Sequence, residues 1–100
     1  MFKVRYVSEK DKPFWFALDK DIGEHELEMK IRDKRGYIIS EDSKPVGIIR
    51  YNLIWDRTPF LTLIYIIESY HGKGYGREAM LFWENEMKEL GYKMVMIDLP

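Results

Sequence analysis

SYHGKGYGREAM, residues 69–80, sets Gly72, Gly74 and Gly76 in alternate positions of a chain with seven glycines in all. His71, Lys73 and Arg77 stand among them. Upstream, Phe60 to Ile67 is nearly apolar on both faces, the mark of a central strand covered on both sides. Downstream, Ala79, Met80, Trp83, Met87 and Leu90 recur on one face of a helix from about Gly74 to Leu90. Glu78, Asn85, Lys88 and Glu89 lie opposite, and Gly91 is the expected stop. The stretch therefore joins the C-terminal end of a strand to the N-terminus of a helix. Several helix amides there lack partners, and the positive end of the helix dipole is exposed. Glycines let an anion come close to that backbone. The reading is a phosphate cradle. The plain alternative is a tight turn without a ligand, but three glycines and three basic groups exceed what a turn needs. The P-loop pattern fails, because Arg77 follows Gly76 and no hydroxyl is placed for magnesium. The dinucleotide fingerprint fails too, because Arg77 stands where its third glycine belongs.

Working outward, Phe2, Val4 and Tyr6 alternate with Lys3 and Arg5, as in a half-buried strand. Ser8 and Asp11 have capping-box spacing, and Pro13 suits a first helical turn. A short helix through FWFALDK is expected. A second follows the acidic run from Asp21 to Glu28 and reaches about Asp33, with Leu27 and Ile31 on one face and Gly36 as its breaker. Tyr37 to Ser40 and Val46 to Trp55 are strands, separated by a turn at EDSKP. Gly47 marks a bulge or a close backbone approach. A turn at Asp56 to Pro59 leads to the central strand, so those two strands are antiparallel neighbours. Met94 to Leu99 is the last strand. Strand, four-turn helix and strand form a crossover, which makes the last strand parallel to the central one. The expected fold class is α/β with a mixed sheet, in the order β-α-α-β-β-β-α-β.

One hundred residues allow one domain, 1–100. Aromatics at 15% and an apolar share of 46% suffice for a packed core. The formal charge of −1 lacks the basic excess of nucleic-acid binders. No cysteine is present, which excludes disulfides, thiolate zinc sites and cysteine nucleophiles. No metal site is expected. The N-terminus has no apolar leader core, and LTLIYII is far short of a membrane span. A cytoplasmic protein is the expectation.

HGKGYG resembles the glycine-rich motif of the GCN5-related N-acetyltransferases (GNAT), Gln/Arg-x-x-Gly-x-Gly/Ala, with His71 in place of the usual Gln or Arg. The strand before it, LIYIIESY, is similar to the family's fourth strand, often Val-x-Pro-x-Tyr. Ile66 takes the Val position, Glu68 replaces the Pro, and Tyr70 fits. The element order also matches the family from its first strand to its fifth. The resemblance implies acetyl-CoA as cosubstrate and direct attack by a primary amine. It implies that amides of Gly72, Lys73, Gly74, Tyr75, Gly76 and Arg77 hold the pyrophosphate, with His71 beside them. The backbone of Ile66, Ile67 and Glu68 would pair with the pantetheine arm, in an opening between the fourth and fifth strands. The Ile66 or Ile67 amide would face the thioester oxyanion. The chemistry also needs a base for the ammonium and an acid for the thiolate.

Two departures from the family stand out. Its members usually continue past the fifth strand, where a tyrosine often serves as acid, whereas this chain ends at Pro100. A fragment, a natural short form, or a partner chain completing the sheet are the alternatives, and the apolar edge MVMIDLP favours a homodimer or strand exchange. A glutamate that some members carry early in the fourth strand is Phe60 here. Candidate bases are therefore Glu68, Glu24 and His25. Each has a plain reading: Glu68 as a turn cap, Glu24 and His25 as a solvated helix start. The acidic run Asp19, Asp21, Glu24, Glu26 and Glu28 suits a cationic acceptor, or is simply a charged face. Trp15 and Trp55 either wall an acceptor pocket or pack in the core. The competing function is a coenzyme A-binding module without turnover.

Overall fold

The computed structural model describes residues 1–97. Strand β1 (Phe2–Tyr6) leads through a 3-10 turn (Glu9–Asp11) into helices α1 (Lys12–Leu18) and α2 (Glu24–Asp33). Strands β2 (Gly36–Glu41), β3 (Lys44–Ile54) and β4 (Thr58–Ile66) follow. A second 3-10 turn (Glu68–Tyr70), helix α3 (Tyr75–Glu89) and strand β5 (Met96–Ile97) complete the order. The sheet runs β1-β2-β3-β4-β5, antiparallel throughout except for the parallel β4–β5 pair. The mixed α/β order and the crossover agree with the sequence reading.

Two cores sandwich the sheet. On one face Ala79, Trp83 and Met87 of α3 bury against Tyr37, Ile39, Ile49, Tyr51 and Leu61. On the other, Trp15 of α1 and Leu27 of α2 bury against Ile38 and Ile48. The alternation of strand side chains sends Ile38 and Ile39, or Ile48 and Ile49, to opposite cores. Two register shifts interrupt it, at Ile39/Ser40 and at Arg50/Tyr51. At the second, Arg50 pairs with Leu63 and Tyr51 with Leu61, so Thr62 is the extra residue of a bulge. The Thr62 hydroxyl fills the gap, donating to the Arg50 carbonyl and accepting from its guanidinium.

Turn geometry corrects several boundaries. Asp42 and Ser43 both have positive φ and make a two-residue hairpin turn, tighter than EDSKP. Trp55 and Asp56 turn the next hairpin with positive φ, so β4 already begins at Thr58 and includes Pro59. Trp55 is 79% exposed and belongs to no core, whereas Trp15 is fully buried. Helix α2 ends at Asp33 as expected, but its cap is Lys34 in the left-handed region rather than a break at Gly36. Gly36 opens β2 because a side chain there would press on Val7 and Trp15. Leu90 leaves the apolar face of α3 and is 57% exposed. Gly91, at φ +97°, turns the chain so that the Tyr92 amide reaches the Met87 carbonyl, and Tyr92 and Val95 pack against the core instead. Strand β5 begins at Met96 rather than at the expected Met94, and residues 98–100 lie outside the described residues.

Buried charge ties the first helices down. The Asp19 carboxylate accepts from Arg50 Nε at 2.8 Å and from the Trp15 indole at 3.1 Å. Burial alone would raise its pKa; the Arg50 guanidinium and the indole hold it below the ordinary value. Asp11 accepts a two-pronged bond from Arg5 at 2.8 and 2.9 Å, and also takes the Ser8 amide and hydroxyl, completing the capping box. These partners, Arg5 foremost, lower its pKa to about 2.

A depressed carboxylate pKa stabilises the fold above its unfolded value, near 4, and that stabilisation disappears as pH falls towards about 2. Urea unfolding between pH 5 and pH 2 should lose about 1–2 kcal/mol through Asp11, allowing for the half-exposed Arg5. In Asp11→Asn that part of the pH dependence should vanish; an unchanged slope would deny Asp11 the role.

Candidate coenzyme site at the β4–α3 junction

The C-terminal end of β4 and the N-terminus of α3 meet at the glycine-rich turn. Gly72 (φ +78°) and Gly74 (φ +82°, the helix N-cap) lie in the left-handed region, where glycine is strain-free. Gly76 differs. It has no positive φ, it sits inside the first turn of α3, and a Cβ there would meet nothing within 4 Å. A glycine in a helix costs about 1 kcal/mol relative to alanine. The fold gains nothing from Gly76, and the open space above it is free for a ligand.

The first amide beyond the turn with a backbone bond is that of Glu78, to the Gly74 carbonyl at 3.0 Å. Among the described residues, the amides from Gly72 to Arg77 have no backbone acceptor. They sit at the positive end of a 15-residue helix. A cavity of about 250 Å³ opens beside them, lined by Ile66, Tyr70, His71, Tyr75 and the glycines. Three larger hollows, of about 430, 530 and 410 Å³, lie along α3 or beyond its C-terminal end, away from these amides. Lys73 and Lys44 each place Nζ 5.9 Å from the Tyr70 ring centre. Arg77 is exposed on the first turn of α3. The arrangement can take an anion through backbone donors, with cations at its rim.

The ladder phase of β4 decides which backbone groups are available. The Ile67 amide bonds the Val46 carbonyl of β3 at 2.9 Å. By antiparallel alternation, the N–H and C=O of Ile66 and Ile64 then point away from β3. Among the described residues, β5 meets β4 only at Phe60 and Leu61, so Ile64 and Ile66 lie past that pairing. Of the two amides expected near a thioester, Ile66 is outward-facing and Ile67 is engaged. The Ile67 and Glu68 carbonyls are engaged too, by Tyr70 and His71 amides at 3.0 Å each. His71 also places ring Nε2 2.5 Å from the Ile66 carbonyl oxygen.

The candidate bases are not gathered. Glu68 is exposed in the 3-10 turn after β4. Glu24 and His25 are exposed at the start of α2, on the opposite face of the sheet from α3. Glu24 lies 3.8 Å from Lys12, which also pairs with Glu9 and Glu28, as in a solvated charged face. Phe60 is half-buried opposite Met96, Tyr51 is core, and Tyr65 is exposed. Sequence reasoning missed a polar cavity of about 200 Å³ bordered by Glu26, Lys30, Arg50 and Asn52. Lys30 donates to the Tyr51 carbonyl at 2.8 Å, and burial, with Arg50 and Arg35 nearby, pushes its pKa down to about 8. Its members come from α2 and β3, and no local pattern marks them. Among the described residues, no group of His, Cys, Asp and Glu could hold a metal ion. No helix among them is long and apolar enough to cross a membrane.

The profile of the Acetyltransferase (GNAT) family matches residues 4–99. The chain belongs to that family. Solved structures agree on the fold. N-acetylglutamate synthase from Neisseria gonorrhoeae, complexed with coenzyme A and N-acetyl-glutamate, superposes with a TM-score of 0.83 at 13% identity, over 97% of this chain. This chain spans only 25% of that one. AAC(6')-Iy, in complex with the bisubstrate analogue CoA-S-monomethyl-acetylneamine, gives 0.79 at 14% identity over 100% of this chain and 80% of its own. Arabidopsis thaliana Naa50, in complex with the bisubstrate analogue CoA-Ac-MVNAL, gives 0.77 at 13% identity over 96% and 69%. A search of curated protein sequences found no match.

The two kinds of glycine should separate on substitution. Gly76→Ala should raise stability in urea unfolding by about 0.5–1 kcal/mol, as in any open helical site. Gly74→Ala should lower it by about 1 kcal/mol, the cost of a left-handed alanine. The same sign for both would contradict the assignment.

Proposed function

We propose that residues 1–100 act as one acetyl-CoA-dependent N-acetyltransferase domain. The amides from Gly72 to Arg77 take the coenzyme pyrophosphate. The outward edge of β4 at Ile64 and Ile66 takes the pantetheine arm as an added strand. The observation that carries this reading is the row of unpartnered amides at the start of α3, left uncovered by a glycine that the fold itself does not need. Family membership adds the chemistry, and the coenzyme A ligands of the solved neighbours point the same way.

In the reaction, a neutral primary amine attacks the thioester carbonyl. The N–C bond forms, the C–S bond breaks, the attacking nitrogen gives up one proton, and the leaving thiolate takes one up, so that amide and thiol result. The Ile66 N–H is the donor available to the oxyanion, since Ile67 bonds Val46. Glu68 is the favoured base, because it follows the same strand edge; Glu24 and His25 stand across the sheet. A coenzyme-binding module without turnover is the second reading. It is favoured by the scatter of these three groups, none of which bonds another among the described residues. Exposed Met96 and Ile97 of β5, with exposed Met94 just before it, suit self-association of two copies. Light scattering that finds only monomer at high concentration would remove that last feature.

Calorimetry with acetyl-CoA tests the coenzyme. Gly74→Asp should abolish binding, because a carboxylate then stands where the phosphates belong. Its loss of stability should be no more than about 1–2 kcal/mol, since nothing lies within 4 Å of that position. Undiminished affinity in this variant would refute the cradle. Thiol release over a panel of primary amines then separates transferase from binding module.

A further inference from the structure

Among the described residues, His71 is the one cradle side chain that hydrogen-bonds back to β4. Its Nε2 lies 2.5 Å from the Ile66 carbonyl oxygen, and its own amide bonds the Glu68 carbonyl at 3.0 Å. A carbonyl only accepts, so Nε2 carries the proton and donates. The ring is exposed and can swing without disturbing the core. The carbonyl it covers is a particular one. Ile67 and Glu68 carbonyls are taken by the 3-10 turn. That leaves the Ile66 carbonyl as the last outward acceptor of β4 before the cradle. With the Ile66 N–H facing the thioester oxyanion, an extended ligand laid along this edge needs the C=O of Ile66 as its strand-like acceptor.

We propose that His71 is a displaceable plug and positioning residue for the coenzyme. With the site empty, the imidazole satisfies the Ile66 carbonyl. An amide N–H of the arriving arm takes over that carbonyl, and the released ring N–H turns to a phosphoryl oxygen at the adjoining amides of Gly72 to Gly74. One donor thus serves two acceptors in turn, and occupation of the strand edge is linked to occupation of the phosphate cradle. The side chain opposes the arm and assists the phosphates. This inference rests on the coenzyme reading above.

The two halves of the ligand tell the roles apart. Pantetheine carries the arm without phosphate, and ADP carries the phosphates without the arm. By NMR titration, His71→Ala should bind pantetheine about fivefold more tightly and ADP about fivefold more weakly, each the worth of one net hydrogen bond. His71→Gln, whose amide offers the same donor, should stay near wild type for both. The Nε2 proton signal should show protection in the free protein and a changed environment at coenzyme A saturation. Weakening of both ligands by His71→Ala would make His71 a structural brace, and an unchanged pantetheine affinity would make it a simple phosphate ligand. Either outcome overturns the proposal, as does a ring still bonded to Ile66 in the saturated complex. If wild-type protein binds no coenzyme A at all, the coenzyme reading itself falls, which the titration registers separately.

Discussion

Gly47 has no room for a side chain. A Cβ there would lie 2.6 Å from the Tyr65 carbonyl oxygen and 2.7 Å from the Ile66 side chain. The close approach it allows brings β3 and β4 together at the end of the ladder. It holds the phase in which Ile67 bonds Val46 and Ile66 faces outward. The rest of the site depends on that phase. A slip of one residue would reverse every outward group on β4 and carry its side chains to the wrong core. The same pairing fixes where β4 ends and so where the glycine-rich turn begins.

The bulge at Thr62 is the second device in this strand. It lets Leu61 and Ile64 bury with α3 while Leu63 packs towards α1 and α2. It also puts Arg50 where it can reach Asp19. The first helices are thereby fastened to the middle of the sheet by a buried ion pair whose carboxylate also takes an indole N–H. Removing one partner from such a pair is far costlier than its net contribution, because the other charge is left buried. The face opposite α3 is thus tied to the same strand pair that presents the outward edge of β4 at Ile64 and Ile66. Both sides of the sheet converge on β4.

The glycines divide by physical need. Gly72, Gly74 and Gly91 answer to backbone conformation, Gly36 and Gly47 to crowding, and Gly23 and Gly76 to neither. In the sequence these roles look alike, since Gly72, Gly74 and Gly76 stand at equal spacing. Among these three, only the φ angles set Gly76 apart from Gly72 and Gly74.

The sequence by itself determined the element order, the parallel crossover and the place of the glycine-rich turn at the start of α3. These are local matters: apolar period, strand-to-helix succession and turn chemistry are written in neighbouring residues. Helix α3 and the core residues Ala79, Trp83 and Met87 were legible for that reason. The turn boundaries at Asp42–Ser43 and Trp55–Asp56 were not, because non-glycine residues there adopt left-handed conformations, and neither was the exposure of Leu90 at the end of α3. The tertiary structure alone decided which amide faces outward, that the Ile66 carbonyl is covered by His71, and that Lys30 and Arg50 border one cavity. Each of these depends on register between strands or on contact between distant elements. A one-residue change in pairing inverts them all while leaving the local sequence signal unchanged.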